Sequence, residues 1–228
     1  MYDFERTGDL MLLKYQTVYQ SGTDEIIEKK SRFIASVFPV ENEDMAAGYI
    51  EQIRKKHWNA THNCFAYVIG ETFEIQRYSD DGEPGGTAGR PILDVLMGQE
   101  IHNALIVVTR YFGGTLLGTG GLVRAYSGAA KAGLTASSII TKIYGTKLKI
   151  ETDYNGLGKI QYILGQRGLK ITDTVYTEVV AIEVLVPQTD EERVEAEIIE
   201  RTNGQALIVK LGQCFFAEVE GVMKVFEK

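Results

Sequence analysis

From Thr109 to Tyr126 the chain reads TRYFGGTLLGTGGLVRAY, with a β-branched run, Ala104 to Val108, leading into it. Strand, glycine-rich turn and helix start in that order can hold an anion. The first-turn N–H groups of a helix have no intrahelical partner, and the helix dipole favours negative charge there. Gly113, Gly114, Gly118, Gly120 and Gly121 would let the backbone approach such a ligand, and Arg110 and Arg124 frame the turn as guanidinium donors. The same glycines would equally serve a tight crossing in a close-packed core. Charge favours the anion. Between Ile101 and Ile150 there is no Asp or Glu, while Arg110, Arg124, Lys131, Lys142, Lys147 and Lys149 are all cationic, in a chain of net charge −7. Lys29, Lys30 and Arg32 form a second basic cluster, readable as the rim of the same surface or as the solvated face of a strand.

A second group of residues could do polar chemistry. SDDGEPGGTAG, Ser79 to Gly89, must be a loop, and it carries Asp80, Asp81, Glu83 and Thr87, with His62 upstream. Hard oxygen ligands of this kind suit a divalent ion, but the alternating spacing of a calcium loop is missing, and no metal is expected. The plainer role is capping the helix that follows. GTLLGTGG departs from the GxxxxGK[ST] phosphate loop, no local nucleophile signature is present, and no cofactor is expected. Cys64 and Cys214 are far apart, without CxxC spacing, and read as free thiols in a reducing cytoplasm. No run spans a bilayer.

The elements that must position these residues follow from pattern. Tyr15 to Ser21 and Glu25 to Pro39 read as strands, separated by Gly22-Thr23-Asp24. Asn42 to His57 is a helix with acids in its first turn and Arg54, Lys55 and Lys56 in its last. Strands Cys64 to Ile69 and Thr72 to Tyr78 join at Gly70-Glu71, and Pro91 opens a helix. The helix over Ala125 to Ala136 gives way to a looser crossing. From Lys147 the order is strand, helix, strand, strand, helix, strand, ending at Val219: the ferredoxin-like βαββαβ sequence. The class is α+β in two domains, 15–138 and 145–228, after an extension or tag over 1–14.

ATHNCFAY, SDDGEPGGTAGRPIL and TRYFGGTLLGTGGLVRAY, in that order, resemble the IMPACT/YigZ family closely, over roughly Lys29 to Lys131. The resemblance implies an N-terminal fold like the second domain of the fifth small-subunit ribosomal protein and like elongation factor G domain four. It implies a C-terminal domain similar to the terminal domain of elongation factor G. Eukaryotic members regulate the amino-acid-starvation response by competing for a ribosome-associated activator of a kinase, so the resemblance implies a link to translation. The expected function is therefore a translation-associated binding protein. It would hold RNA, the ribosome or another phosphate-bearing partner on Arg110, Arg124, the glycine turns, Lys29, Lys30 and Arg32, with both guanidiniums facing Gly118 to Gly121; a translation-related protein is the other partner expected. Tyr111 or Phe112 would stack on a base if exposed. No DNA or membrane partner is expected. The alternatives are an enzyme acting on a phosphorylated small molecule through His62 and Asp80 or Asp81, and a protein-docking module. Arg124 tied to Asp80 or Asp81 would instead be structural.

Overall fold

A computed structural model describes residues 12–226, and the chain divides into two units between Ile140 and Thr141. The expected extension over 1–14 lies largely outside the described residues; β1 already begins at Lys14.

The first unit is built around β7 (Ala104–Tyr111), the central strand of a five-stranded sheet. Its flat run of β-branched residues fits a strand covered on both faces. Leu105, Ile106, Val107 and Val108 are all fully buried. The strand order is β2 (Gly22–Glu28), β3 (Ser31–Pro39), β7, β4 (His62–Ile69) and β5 (Ile75–Ser79), every pair antiparallel. Side chains alternate between faces. Leu105 and Val107 pack with Tyr67 and Ile69 under Ala46, Ile50 and Ile53 of α1 (Glu43–Lys56). Ile106 and Val108 pack with Phe33, Ala35, Val37 and Cys64 against α2 (Gly89–Gly98) and α3 (Thr119–Thr135). Outside this sheet, β1 (Lys14–Gln20) pairs in parallel with the short β6 (Ile101–His102). Asn42 caps α1, its side chain accepting from the Met45 N–H at 2.8 Å.

Three readings of the first unit need correction. Gly22-Thr23-Asp24 is not a separating turn but the start of β2, paired with Val37, Ser36 and Ala35 of β3. The stretch Glu25 to Pro39 is a hairpin rather than one strand: Glu28 pairs with Ser31, and Lys29 and Lys30 form the two-residue turn. Both lysines have positive φ, 44° and 68°, the backbone of a type I′ turn, which normally calls for Gly, Asn or Asp. The turn after β4 also runs longer than Gly70-Glu71, because β5 starts only at Ile75.

Strand β8 (Ser138–Thr152) begins three residues before the boundary, and with α4 (Tyr154–Gln166), β9 (Ile171–Tyr176), β10 (Val180–Pro187), α5 (Glu191–Arg201) and β11 (Leu207–Val219) it gives the second unit its βαββαβ order. The strands lie in the order β11, β8, β10, β9, all antiparallel, which is the ferredoxin-like arrangement. Its core is Leu148, Ile150, Ile160, Ile163, Ile182, Val184, Val194 and Ile198. The expected loose crossing before Lys147 is instead the first half of β8, a continuous strand of 15 residues. A further strand, β12 (Val222–Phe226), pairs with β11 beyond the expected end at Val219.

Gly145 sits where β8 is flanked by β10 and β11; an added Cβ would lie 2.1 Å from the Val186 carbonyl oxygen and 2.9 Å from the Phe216 ring. Gly145→Ala should therefore cost roughly 1–3 kcal/mol, the scale of overpacking, read as a lower urea midpoint. An unchanged midpoint would mean that the three strands separate freely there.

Candidate functional site

Arg110 does not face the Gly118–Gly121 turn. It is buried, 5% exposed, and its Nη1 donates to Glu83 Oε1 at 2.6 Å. The same oxygen accepts from the Tyr126 hydroxyl at 2.7 Å. One carboxylate thus ties the β5–α2 loop to β7 and to α3. The Arg110 guanidinium is stacked between rings, its carbon 5.3 Å from the Phe33 centroid and 5.6 Å from that of Phe112. Its Nε has no hydrogen-bond partner among the described residues.

The remaining acids of the loop hold the loop itself. Asp80 Oδ1 accepts from the N–H groups of Ala88 and Gly89, and Oδ2 from Gly86, so Asp80 caps the start of α2. Asp81 takes the Asn63 N–H at 2.6 Å and pairs with Arg54 at 3.1 Å. Thr87 donates to the Pro84 carbonyl. His62 Nδ1 lies 2.8 Å from the Asp81 carbonyl oxygen and its Nε2 faces Glu83 Oε1 at 3.8 Å. Both ring nitrogens thus point at protein acceptors. Cys64 Sγ donates to the Asp80 carbonyl, and burial pushes its thiol up to about 12, far from a reactive thiolate. Burial likewise raises the Tyr126 phenol, followed by Cys64 and Glu83. No group of three metal-binding side chains forms among the described residues. The polar cluster His62, Asp80, Asp81, Glu83 and Thr87 does come together, but as a brace.

The exposed charges lie elsewhere. Helix α3 starts at Thr119 after Gly118, which holds φ +71°; no side chain caps it and no acid stands in its first turn. The first helical bond is Leu122 N–H to the Gly118 carbonyl. Beside that start runs a small groove of about 190 Å³, lined by Ile26, Glu28, Lys29, Leu117, Gly121, Arg124 and Ala125. Arg124 is exposed and lies on this groove, with no bond to Asp80 or Asp81, so the structural pairing weighed for it does not form. Lys29 and Lys30 belong to the same surface through Gly113: a Cβ there would lie 2.0 Å from the Lys30 carbonyl carbon, so the glycine loop rests directly on the hairpin turn. Gly121 is less crowded, with Leu117 Cβ at 3.0 Å from an added Cβ, and it is not among the positive-φ residues. Arg32 stands apart, held in two hydrogen bonds to Glu25 at 2.7 and 2.8 Å. Phe112 is half-exposed, and Tyr111 is partly buried.

Comparison with known proteins bears on this geometry. The Impact N-terminal domain matches residues 29–134, and a domain of unknown function, DUF1949, matches residues 150–205. The chain is 41% identical to the IMPACT family member YvyE of Bacillus subtilis (strain 168), covering 91% of this chain and 95% of that one. It is 36% identical to the IMPACT family member YigZ of Escherichia coli (strain K12), over 80% and 91% respectively. A protein IMPACT homolog of Dictyostelium discoideum is 41% identical over 45% of this chain and 30% of its own length. A crystal structure described as that of a hypothetical protein superposes with a TM-score of 0.57 at 32% identity, covering 89% of this chain and 99% of that one.

Removing one partner of a buried ion pair strands the other charge. Glu83→Ala should cost about 3–5 kcal/mol in urea unfolding, whereas the double change Glu83→Leu with Arg110→Met should recover much of that loss. A small loss for Glu83→Ala would show that the pair does not brace the loop.

Proposed function

The chain belongs to the IMPACT family, and from that premise we propose that its first unit is a translation-associated module that holds the phosphodiester backbone of RNA. The observation that carries this reading is the groove beside the uncapped start of α3, where Lys29 and Arg124 flank free backbone donors. Among the described residues the Thr119, Gly120 and Gly121 N–H groups make no hydrogen bond, and the helix dipole adds a partial positive charge. Glu28 is the single acid lining the groove. Donors of this kind position a nucleic-acid backbone without reading its sequence.

Two further features support a binding module over a small-molecule enzyme. At about 190 Å³ the groove is smaller than the roughly 300–1,000 Å³ typical of enclosed ligand sites. The residues with acid–base potential, His62, Asp80 and Asp81, are engaged in bracing the loop. The two lysines held at positive φ support the binding reading as well. Strained backbone persists where surrounding structure enforces it, and such positions cluster at ligand clamps. The partner side of the reading, RNA on or near the ribosome, rests on the family's link to translation.

Arg124→Ala is the direct test, with affinity for a single-stranded oligoribonucleotide measured across a salt series. One lost phosphate contact should flatten the slope of log K against log salt by about 0.7 and leave the thermal midpoint unchanged, because Arg124 is exposed. A fall in thermal midpoint with an unchanged slope would make Arg124 a structural residue and sink the phosphate groove.

A further inference from the structure

Helix α1 covers one face of the five-stranded sheet only as far as Lys56, and beyond its end that face is left open. Directly opposed residues share a face, so Ile27, Arg32 and Tyr111 stand in one row across β2, β3 and β7 on the uncovered part. Ile27 is 67% exposed, and the Arg32 guanidinium carbon lies 5.6 Å from the Tyr111 ring centroid. The Tyr111 hydroxyl lies 2.9 Å from His57 Nδ1 and donates to Asn59 Oδ1 at 3.3 Å. These two bonds pin the residues on both sides of Trp58 to the end of β7. Trp58 itself is 82% exposed. An indole left in water on a fixed turn sacrifices most of the apolar burial that tryptophan normally provides.

The surroundings are cationic. Arg54, Lys55 and Lys56 end α1, and Arg32 lies across the row. Arg54, Lys55 and Arg32 are paired with the half-buried Asp81, the exposed Glu51 and the half-buried Glu25, and the exposed Lys55–Glu51 pair contributes little in water. Lys56 makes no ion pair among the described residues. His57 senses the resulting field: its imidazole is held below the ordinary value, first by burial and then by the charges of Lys56 and Arg32.

We propose that Trp58, held through its neighbours His57 and Asn59 to the Tyr111–Arg32 pair, is a stacking platform for an unpaired base of single-stranded RNA. The proposal rests on the RNA reading given above and adds a base site on the α1 face of the sheet, opposite the face on which α3 packs. Exposed aromatic and guanidinium planes accept any base by its π-face, and surrounding lysines and arginines hold the phosphates that come with it. The charge complementarity selects a polyanion that carries flat apolar groups.

Trp58 is the chain's single tryptophan, so its fluorescence reports on this site alone. The full chain is titrated with a short oligoadenylate and with an abasic oligomer of the same length and charge. The expected result is that oligoadenylate quenches Trp58 emission and binds more tightly than the abasic oligomer. Trp58→Ala should weaken oligoadenylate binding roughly 5- to 150-fold, while abasic binding, salt slope and thermal midpoint stay as in the parent. Equal binding of the two oligomers by the parent chain, or an equal loss of both in Trp58→Ala, overturns the stacking platform and leaves the phosphate groove standing. Binding of neither oligomer overturns both. Oligoadenylate binding that is insensitive to Trp58→Ala overturns the proposal.

Discussion

The first unit depends on one buried contact, the Glu83 carboxylate against the Arg110 guanidinium. Burying either charge alone is costly, so each is tolerated only because the other is present and because Tyr126 and the two aromatic rings complete the enclosure. The consequence is positional. Glu83 belongs to a loop rich in glycine and acids, a composition that would ordinarily leave it loose, and the pair fastens that loop to the central strand and to α3. With the loop fixed, Asp80 can cap α2 and Asp81 can hold the start of β4. A mobile acidic loop next to a cationic surface would compete with any anionic ligand. In the fastened loop the carboxylates are engaged by Arg110, Arg54 and backbone N–H groups.

Buried and exposed charges thereby divide the work. Arg110 is spent on structure, and Arg124, one helical turn inside α3, stays in solvent beside the helix start. The glycine loop divides similarly. Gly113 is needed because the hairpin backbone runs against it, and Gly118 because the entry to α3 takes a left-handed φ. Both roles bring the Lys29-Lys30 turn and the first turn of α3 onto one surface. The chain as a whole is acidic, so on the proposed reading a polyanion would be admitted only where this local arrangement outweighs the repulsive average.

What sequence could and could not reveal follows from the range of each interaction. Helix α1 was legible because its signals are local: Asn42 caps it, acids begin it and bases end it. The βαββαβ order was legible from alternation and from Asn203-Gly204 and Gly168 as stops. The hairpin at Lys29-Lys30 was not, since lysine carries no preference for positive φ and the turn is imposed by strand pairing and by Gly113. The first half of β8 was hidden because Ser137-Ser138 read as the start of a loose crossing, and its partners β11 and β10 join only from Ile143 and Gly145 onward. In the site, the helix-capping role of the acidic loop was foreseeable, but the Glu83–Arg110 pair joins residues 27 apart and left no local trace. It reversed the expected role of Arg110. Trp58 was overlooked for a related reason: it sits in a turn, outside any periodic pattern, and only its exposure marks it.

The central claim is that the start of α3 and the β2–β3 turn form one phosphate-holding surface while the acidic loop is a brace. Backbone amide chemical shifts of the full chain, followed during titration with a single-stranded oligoribonucleotide, address it most directly. The account predicts shifts concentrated at Lys29, Lys30 and Thr119 to Arg124, together with those at Trp58 from base stacking, and Asp80 to Thr87 unmoved. Shifts centred on Asp80 to Thr87, with Thr119 to Arg124 silent, would contradict it.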